Sequence, residues 1–335
     1  MIFFKFNKFD FKVINVDSKK MKDFKVSIVI PVFNSSKNLE KLINELFIQL
    51  KNNYSNYEAI LIDDQSNDNT WKVVTNLCKI HNWIKAIKLR KNVGQHNAIL
   101  AGLRFADGQY IVTMDDDGQN SPNDITNLIS EVEKGVDVCY AKFSIKEHSI
   151  FRRIGSSINN IFVSILFNKP LSLNLTNFRS FNSQIKDELI KNKSPSIYLD
   201  ALIVSLTRNI SQINVEHHDR KYGKSNYTFY KLLSLWFQMA TGFSVKPLRI
   251  ASLLGIIFSL SSFTVLIWLV FIRSPSSEIP MGWTSLIVVI IFFGGIQLLA
   301  LGLIGEYLGR TYLLSNNHPQ FSIKESKNIQ YKSKN

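Results

Sequence analysis

Residues Tyr110–Gln119 read YIVTMDDDGQ, a short apolar run that stops in three successive carboxylates. Tyr110–Met114 has the aromatic and β-branched content of a covered parallel strand, and the Asp117-Gly118 step forces a turn at its carboxyl end. Open α/β sheets bind their ligands at that edge. Because strand side chains alternate, Asp115 and Asp117 are predicted to project to one side and Asp116 to the other, so that two carboxylates can share a divalent cation or a ligand it carries. With the amide of Gln119 they form an oxygen-rich set suited to Mg2+ or Mn2+. An isolated D-x-D is more often a plain acidic turn. Three adjacent aspartates after an apolar strand repel one another, however, and that cost favours a site.

The residues before this strand repeat one pattern. VSIVIPVF, from Lys25 onward, reads as a buried strand ended by Pro31, and Ser35–Leu50 carries helical spacing at Leu39, Leu42, Ile43, Leu46 and Leu50. Strand Glu58–Ile62 runs into DDQSNDNT, and Thr70–Ile80 reads as a helix. Strand Ile84–Leu89 leads to KNVGQHNA and a helix ending near Gly108. Strands separated by such helices mean βαβ units and a mainly parallel sheet between helical layers. The loops Pro31–Ser36 and Asp63–Thr70, and the loop after Met114, carry the polar residues expected at a site. None is a dinucleotide-binding G-x-G-x-x-G or a P-loop.

Beyond it, Pro122–Lys134 looks helical, Val136–Ala141 strand-like and Lys142–Arg153 a basic connector. LNLTNFRSFN at Leu173–Asn182, a helix from Asp200 to Arg208 and a strand at Ile213–Glu216 precede HHDRKYGKSNYT. Tyr227–Phe243 then places Tyr230, Leu233, Trp236, Phe237 and Ala240 at the spacing of a helix lying at a membrane interface, although a core helix fits the same pattern.

Two stretches, Ile250–Ile272 and Trp283–Gly305, contain no charged residue, and each is long enough to cross a hydrocarbon layer of ~30 Å as a helix. The chain of 335 residues is thus expected to hold a globular domain and a two-helix membrane hairpin. Lysine and arginine crowd both large ends, whereas the loop Arg273–Gly282 has only Arg273, which places both ends in the cytoplasm. The formal net charge of +14 comes with no zinc-ligand spacing or nucleic-acid motif, so anionic lipid, not nucleic acid, is the expected partner. Gly294, Gly295, Gly302 and Gly305 offer a face for close helix approach and subunit association, and a homo-oligomer is expected. Cys78 and Cys139 fit a reduced compartment and ordinary packing.

The segments VSIVIPVFN, LIDDQSNDNT, NVGQHNAILAGL, MDDDGQNSP, FRSFN, HHDRKYGKSNY, FSVKPLRIASLLG and GGIQLLALGLIGEYLGR, in this order, resemble the family-2 glycosyltransferases of GT-A fold. More narrowly, they resemble the membrane-bound polyprenyl-phosphate glycosyltransferases. The likeness spans about Lys25 to Phe321. It implies a cytoplasmic GT-A catalytic domain at 25–226 after an N-terminal arm at 1–24, with Met21 an alternative start. An interfacial helix at 227–247, membrane spans within 248–306 and a basic tail at 307–335 follow. The implied protein is an inverting, metal-dependent enzyme of the bacterial inner membrane that transfers one sugar from a nucleotide sugar to undecaprenyl phosphate.

Carried over residue by residue, the resemblance implies that Pro31 and Phe33 flank the base, Asp64 bonds the base or ribose, and Asp116 lies beside the nucleotide. Asp115 and Asp117 are the D-x-D pair, with Asp117 and Gln119 nearest the metal. Arg179, Arg220, Lys224 and Ser225 would meet phosphates, as would Arg152 and Arg153. Ser35 stands where a glutamate is common and Gly118 where a leucine is usual. The chemistry agrees with these roles. A departing diphosphate needs a cation in a dry site. The acceptor phosphate is already an anion and needs cationic partners more than a general base, a part Arg179, Arg220 and Lys224 can play. A processive polysaccharide synthase is the nearest enzymatic rival, but no Q-x-x-R-W occurs and two spans are too few for a channel. A catalytically dead membrane scaffold would have no use for the D-x-D. His217 and His218, adjacent on a strand, point to opposite faces, and His96 reads as a packing residue.

Overall fold

The computed structural model describes residues 21–143, 164, 169–195, 197–215, 246–271, 282–316 and 318–329. Arg152, Arg153, His217, His218, Arg220, Lys224, Ser225 and the expected interfacial helix Tyr227–Phe243 lie outside the described residues.

The chain opens with three overlapping βαβ units. Strand β1 (Lys22–Val32) is followed by helix α1 (Leu39–Asn53), β2 (Tyr54–Asp63), α2 (Thr70–Ile80), β3 (Ile84–Leu89), α3 (Gln95–Leu103) and β4 (Tyr110–Thr113). After a 3-10 turn at Pro122–Asp124 come α4 (Ile125–Glu133), β5 (Val138–Phe143), β6 (Arg179–Asn182), α5 (Ser183–Lys191), α6 (Leu199–Leu206) and β7 (Ile210–Val215). Two long helices, α7 (Lys246–Phe271) and α8 (Gly282–Ser315), precede a last strand, β8 (Ile323–Lys327). The eight strands form one sheet in the order β7-β5-β6-β4-β1-β2-β3-β8. Its centre, β4-β1-β2-β3, is parallel, β5 and β7 pair in parallel, and β6 and β8 run antiparallel to their neighbours.

Period-2 alternation along β1 divides the core between the two faces of this sheet. Val26, Ile28, Ile30 and Val32 join Leu39, Leu42, Ile43, Leu46 and Leu50 of α1 and the apolar stripes of α2 and α4, whereas Val29 joins α3, α5 and α6 on the opposite face. On that face α3 approaches so closely that a Cβ at Gly102 would lie 2.5 Å from Ile62 Cδ1 and 2.7 Å from Val29 Cγ1. Any larger residue there would force Ile62 and Val29 to shift.

The structure departs from the sequence reading at three points. Pro31 does not end β1, which runs on to Val32 with Pro31 opposite Ile62 of β2. The pairing of β1 with β4 stops at Val29, so the missing N–H of Pro31 falls where that side of the strand has no partner. Second, SQIKDELIK forms helix α5, which the sequence hides because most of these residues are polar and only Ile185 and Leu189 are buried. Third, the segment 307–335 is more than a basic tail: β8 within it pairs with β3 and covers that edge of the sheet.

In α7 and α8 large apolar side chains such as Ile250, Leu254, Leu298, Leu301 and Leu308 are exposed. The two helices meet through aromatic rings, Phe258 lying 5.5 Å from Phe292 and 6.2 Å from Phe293. A Cβ at Gly294, Gly295, Gly302 or Gly305 would meet nothing within 4 Å, so these glycines make no close helix approach within the described chain. Among the described residues one helical segment, Phe292–Ser315, is long and apolar enough to cross a membrane; the apolar part of α7 that meets the same test of composition, Pro247–Phe258, is shorter.

Candidate active site

The carboxyl ends of four parallel strands converge on one pocket. Pro31, Val32 and Phe33 reach it from β1, Asp64 from β2, Asn92 and Gly94 from the β3–α3 loop, Gln95 from the first turn of α3, and Asp115, Asp116 and Asp117 from the end of β4. The cavity is about 370 Å³. This is the edge at which a parallel α/β sheet binds ligands, because the loops there splay apart and are free of the ladder.

Each wall is held by bonds that cross between loops. Asn34 and Gln65 both adopt positive φ, 54° and 60°, a conformation uncommon outside glycine. The Asn34 backbone N–H donates to Ser66 Oγ at 3.0 Å, and the Asn67 backbone N–H donates back to Asn34 Oδ1 at 2.9 Å, so the loops after β1 and β2 are stitched together. Asp64 accepts the backbone N–H groups of Val93 at 2.8 Å and Gly94 at 2.9 Å, one on each carboxylate oxygen. Burial still raises its pKa above the usual carboxylate value, against the pull of those two donors. Asp64 therefore fixes the β3–α3 loop while presenting its remaining lone pairs to the cavity.

Asp116 accepts from Phe33 N at 3.3 Å and from the Ser35 hydroxyl, whose own backbone N–H donates to Thr70 Oγ1 at 2.8 Å. Ser35, which departs from the family pattern, thus anchors an aspartate of the acidic run. Asp115 accepts from the Gln95 amide. Gly118 takes φ +75°, a conformation a leucine would enter only with strain, and it lets the Gln119 N–H reach Asp117 Oδ1 at 3.0 Å. Burial, then the charges of Asp117 and Asp116, push the Asp115 carboxyl up to about 7; burial pushes Asp116 up to about 6 against the hydrogen bonds of Ser35 and Phe33.

The other end of the sheet treats a buried carboxylate differently. Glu58 is held by Lys85 at 2.8 Å, Lys25 at 2.9 Å, Ser27 Oγ at 2.6 Å and the Asp107 N–H at 2.8 Å. No such cation lies within ion-pair distance of Asp115 or Asp116 among the described residues. A crowded, half-buried acidic wall in which Asp115 and Asp116 have no ion-pair partner among the described residues is what a cation-borne ligand would relieve.

Of the expected residues that are described, Pro31, Phe33, Asp64, Asp115, Asp116 and Asp117 line this pocket. Gln119 and Arg179 do not. Gln119 reaches the acidic run through its backbone N–H, and its side chain is not part of the lining. Arg179, expected to meet a phosphate, is fully buried in β6, where it pairs with Asp200 of α6 and lies over the Tyr140 ring at 5.6 Å. Tyr140 Oη donates to the same carboxylate at 3.0 Å. The alternation expected of the three aspartates places Asp116 against the β1 loop and Asp115 against α3, but all three still face one cavity. His96 is the packing residue expected, half-buried and edge-on against Tyr198 at 4.7 Å, with desolvation lowering its pKa to about 4. Cys78 and Cys139 are free and buried. The sequence reading missed Asn92, Gly94 and Gln95; the signal was present in a polar KNVGQ loop following a third parallel strand, which topology sends to the same edge.

Residues 27–193 match the family model described as glycosyl transferase family 2. An undecaprenyl-phosphate 4-deoxy-4-formamido-L-arabinose transferase from Proteus mirabilis (strain HI4320) is 32% identical over 314 residues, 93% of this chain and 96% of that protein. One of the same name from Yersinia enterocolitica is 33% identical over 312 residues, 92% of this chain and 95% of that protein. Among solved structures, glucosyl-3-phosphoglycerate synthase from Mycobacterium tuberculosis, in complex with Mn2+, uridine diphosphate and glucosyl-3-phosphoglycerate, superposes with a TM-score of 0.46. Its identity is 14% over 65% of this chain and 78% of that one.

Proposed function

The chain belongs to glycosyl transferase family 2, among its polyprenyl-phosphate glycosyltransferases, and from that premise we propose that it transfers one sugar, with inversion, from a uridine diphosphate sugar to undecaprenyl phosphate at the cytoplasmic face of the bacterial inner membrane. The observation that carries this reading is the pocket at the carboxyl edge of β1, β2 and β4, with an apolar wall at Pro31–Phe33 and an acidic wall at Asp115–Asp117. The Phe33 side chain is exposed and offers a ring for the base, while Asp64 and Asp116 offer acceptors to the nucleoside. The acceptor phosphate needs no base. Arg153, Arg220, Lys224 and Ser225 are assigned to it from their places in the sequence.

A divalent cation, Mg2+ or Mn2+, fits the donor set. Among the described residues no three His, Cys, Asp or Glu side chains form a preformed cage, and Mg2+ is commonly bound through one or two carboxylates completed by water and substrate phosphates. Asp115 and Asp117 are the ligands proposed. When bound, the ion would offset the charge that develops on the departing diphosphate. The protein's own part is to hold the acidic run rigid through Ser35, Gln95 and the Gln119 N–H, and to close the nucleoside wall through Asn34, Ser66 and Asn67.

The sheet supplies an argument for two membrane spans. β8 pairs with β3, so the residues after α8 share a compartment with the catalytic sheet, and the chain between them crosses a membrane an even number of times. If α8 crosses once, a second crossing is required, and the 26 residues of α7 reach about 39 Å at 1.5 Å per residue. A cysteine placed in the 273–281 connection should react with an impermeant thiol reagent outside intact cells, whereas one at Ser326 should not. The reverse pattern would overturn the placement.

Membranes carrying the protein, incubated with undecaprenyl phosphate and a panel of labelled uridine diphosphate sugars including 4-deoxy-4-formamido-L-arabinose, should move label from one donor into the lipid phase. No transfer from any donor would sink the reading.

A further inference from the structure

We infer that Gln320 is a positioning residue that clasps the exit of α8 to the wall of the catalytic pocket and sets where the pocket meets the membrane-held acceptor; the inference rests on the polyprenyl-phosphate reading above. Gln320 lies five residues beyond the end of α8 at Ser315, a link that spans at most about 18 Å. It is buried, and its whole amide is used. Nε2 donates to the carbonyls of Asn192 at 2.9 Å and Ser194 at 2.8 Å, and Oε1 accepts from Arg104 Nη2 at 2.8 Å. The Arg104 guanidinium lies 4.7 Å over the ring of Phe321, the next residue along the tail.

The segment so gripped leads directly to the site. The Pro195 carbonyl accepts from Asn97 of α3 at 3.1 Å, and two residues before Asn97 is Gln95, which holds Asp115. Beyond Pro195, Tyr198 packs on His96, and Asp200 closes the buried pair with Arg179 behind the acidic wall. The β8 ladder and Asn328, whose amide bonds the carbonyls of Cys78 at 2.9 Å and Ile84 at 2.7 Å, secure the remainder of the tail to a different part of the domain. Gln320 stands upstream of both, on the side from which α8 arrives. Its bonds therefore transmit the position of α8 to the 192–200 segment, while β8 alone would hold only the sheet edge.

The test uses the full chain in lipid nanodiscs and Gln320→Glu, which keeps the side-chain shape and the acceptor for Arg104 but removes both donors to the 192–194 carbonyls. KM for undecaprenyl phosphate should rise about tenfold, the scale of one to two lost hydrogen bonds. For a short, water-soluble polyprenyl phosphate kcat/KM should stay within about twofold, because that acceptor reaches the pocket without reference to α8. Equal losses on both acceptors would reduce Gln320 to a general stabiliser, and no loss on either would remove it; each overturns the inference. If wild-type protein turns over neither acceptor with any donor, the proposed function fails, and hydrogen exchange then decides the clasp by itself. Amides of Leu199–Leu206 should exchange about tenfold faster in the variant, and unchanged exchange would refute the coupling.

Discussion

Asp117→Asn is expected to lower kcat/KM by roughly 10²–10³, the usual loss on deleting one preorganised group that stabilises transition-state charge, while the protein stays folded. The substitution keeps a side-chain oxygen that can accept the Gln119 N–H, so the turn through Gly118 survives. What it removes is a negative charge from a wall that already crowds three carboxylates, and that charge has no packing role in either core cluster. Chelation by EDTA should reproduce the loss in wild-type protein, with Mg2+ or Mn2+ restoring turnover. Asp117→Asn should gain far less from the restored metal. Undiminished turnover in EDTA, or in the variant, would take the cation out of the mechanism and leave the acidic wall as a feature of donor orientation alone. A melting midpoint within a few degrees of wild type is part of the expectation, since surface-loop changes away from buried networks typically shift stability by about 0.5 kcal/mol or less.

How far the sequence reveals the site depends on whether a residue's environment is written in its neighbours. Asp115–Asp117 are legible because the strand before them, the glycine after them and the parallel repeat around them all force one location, the carboxyl edge of the sheet. Pro31, Phe33 and Asp64 follow from the same repeat. Helix α1 is legible because five apolar residues at helical spacing can be buried in only one way. Arg179 misleads for the converse reason: a cation in a motif reads the same whether it faces a ligand or a buried partner, and its partner, Asp200, lies 21 residues on in a different element. Gln119 misleads because sequence counts side chains, whereas the turn uses its backbone. The β8 strand, IKESK, is charged and short, and only its antiparallel pairing with β3, more than 200 residues earlier, makes it a strand. The Gln320 clasp depends on the same long-range return of the chain.

The Arg179–Asp200 pair carries the second large effect. Both side chains are buried, at 0% and 3% exposure, and the same carboxylate receives Tyr140 Oη. Arg179 Nε and one terminal nitrogen have no hydrogen-bond partner, so Asp200 supplies most of what offsets the desolvation of the guanidinium. Asp200→Ala should therefore cost about 3–5 kcal/mol, the range for stranding one member of a buried ion pair, and lower the melting midpoint by roughly 10 °C. Asp200→Asn, which keeps an acceptor but not the charge, should cost less. The pair itself need not be stabilising relative to apolar packing. Arg179→Met combined with Asp200→Leu fills similar volume without a charge to desolvate, and should recover most of the stability lost in Asp200→Ala. Turnover should nevertheless remain low in this double variant, because the positive charge behind Asp115 is gone while the acidic wall is intact. Stability recovered together with turnover would mean that the pair serves packing only, and a loss below about 1 kcal/mol in Asp200→Ala would mean that Arg179 finds another anion when Asp200 is removed.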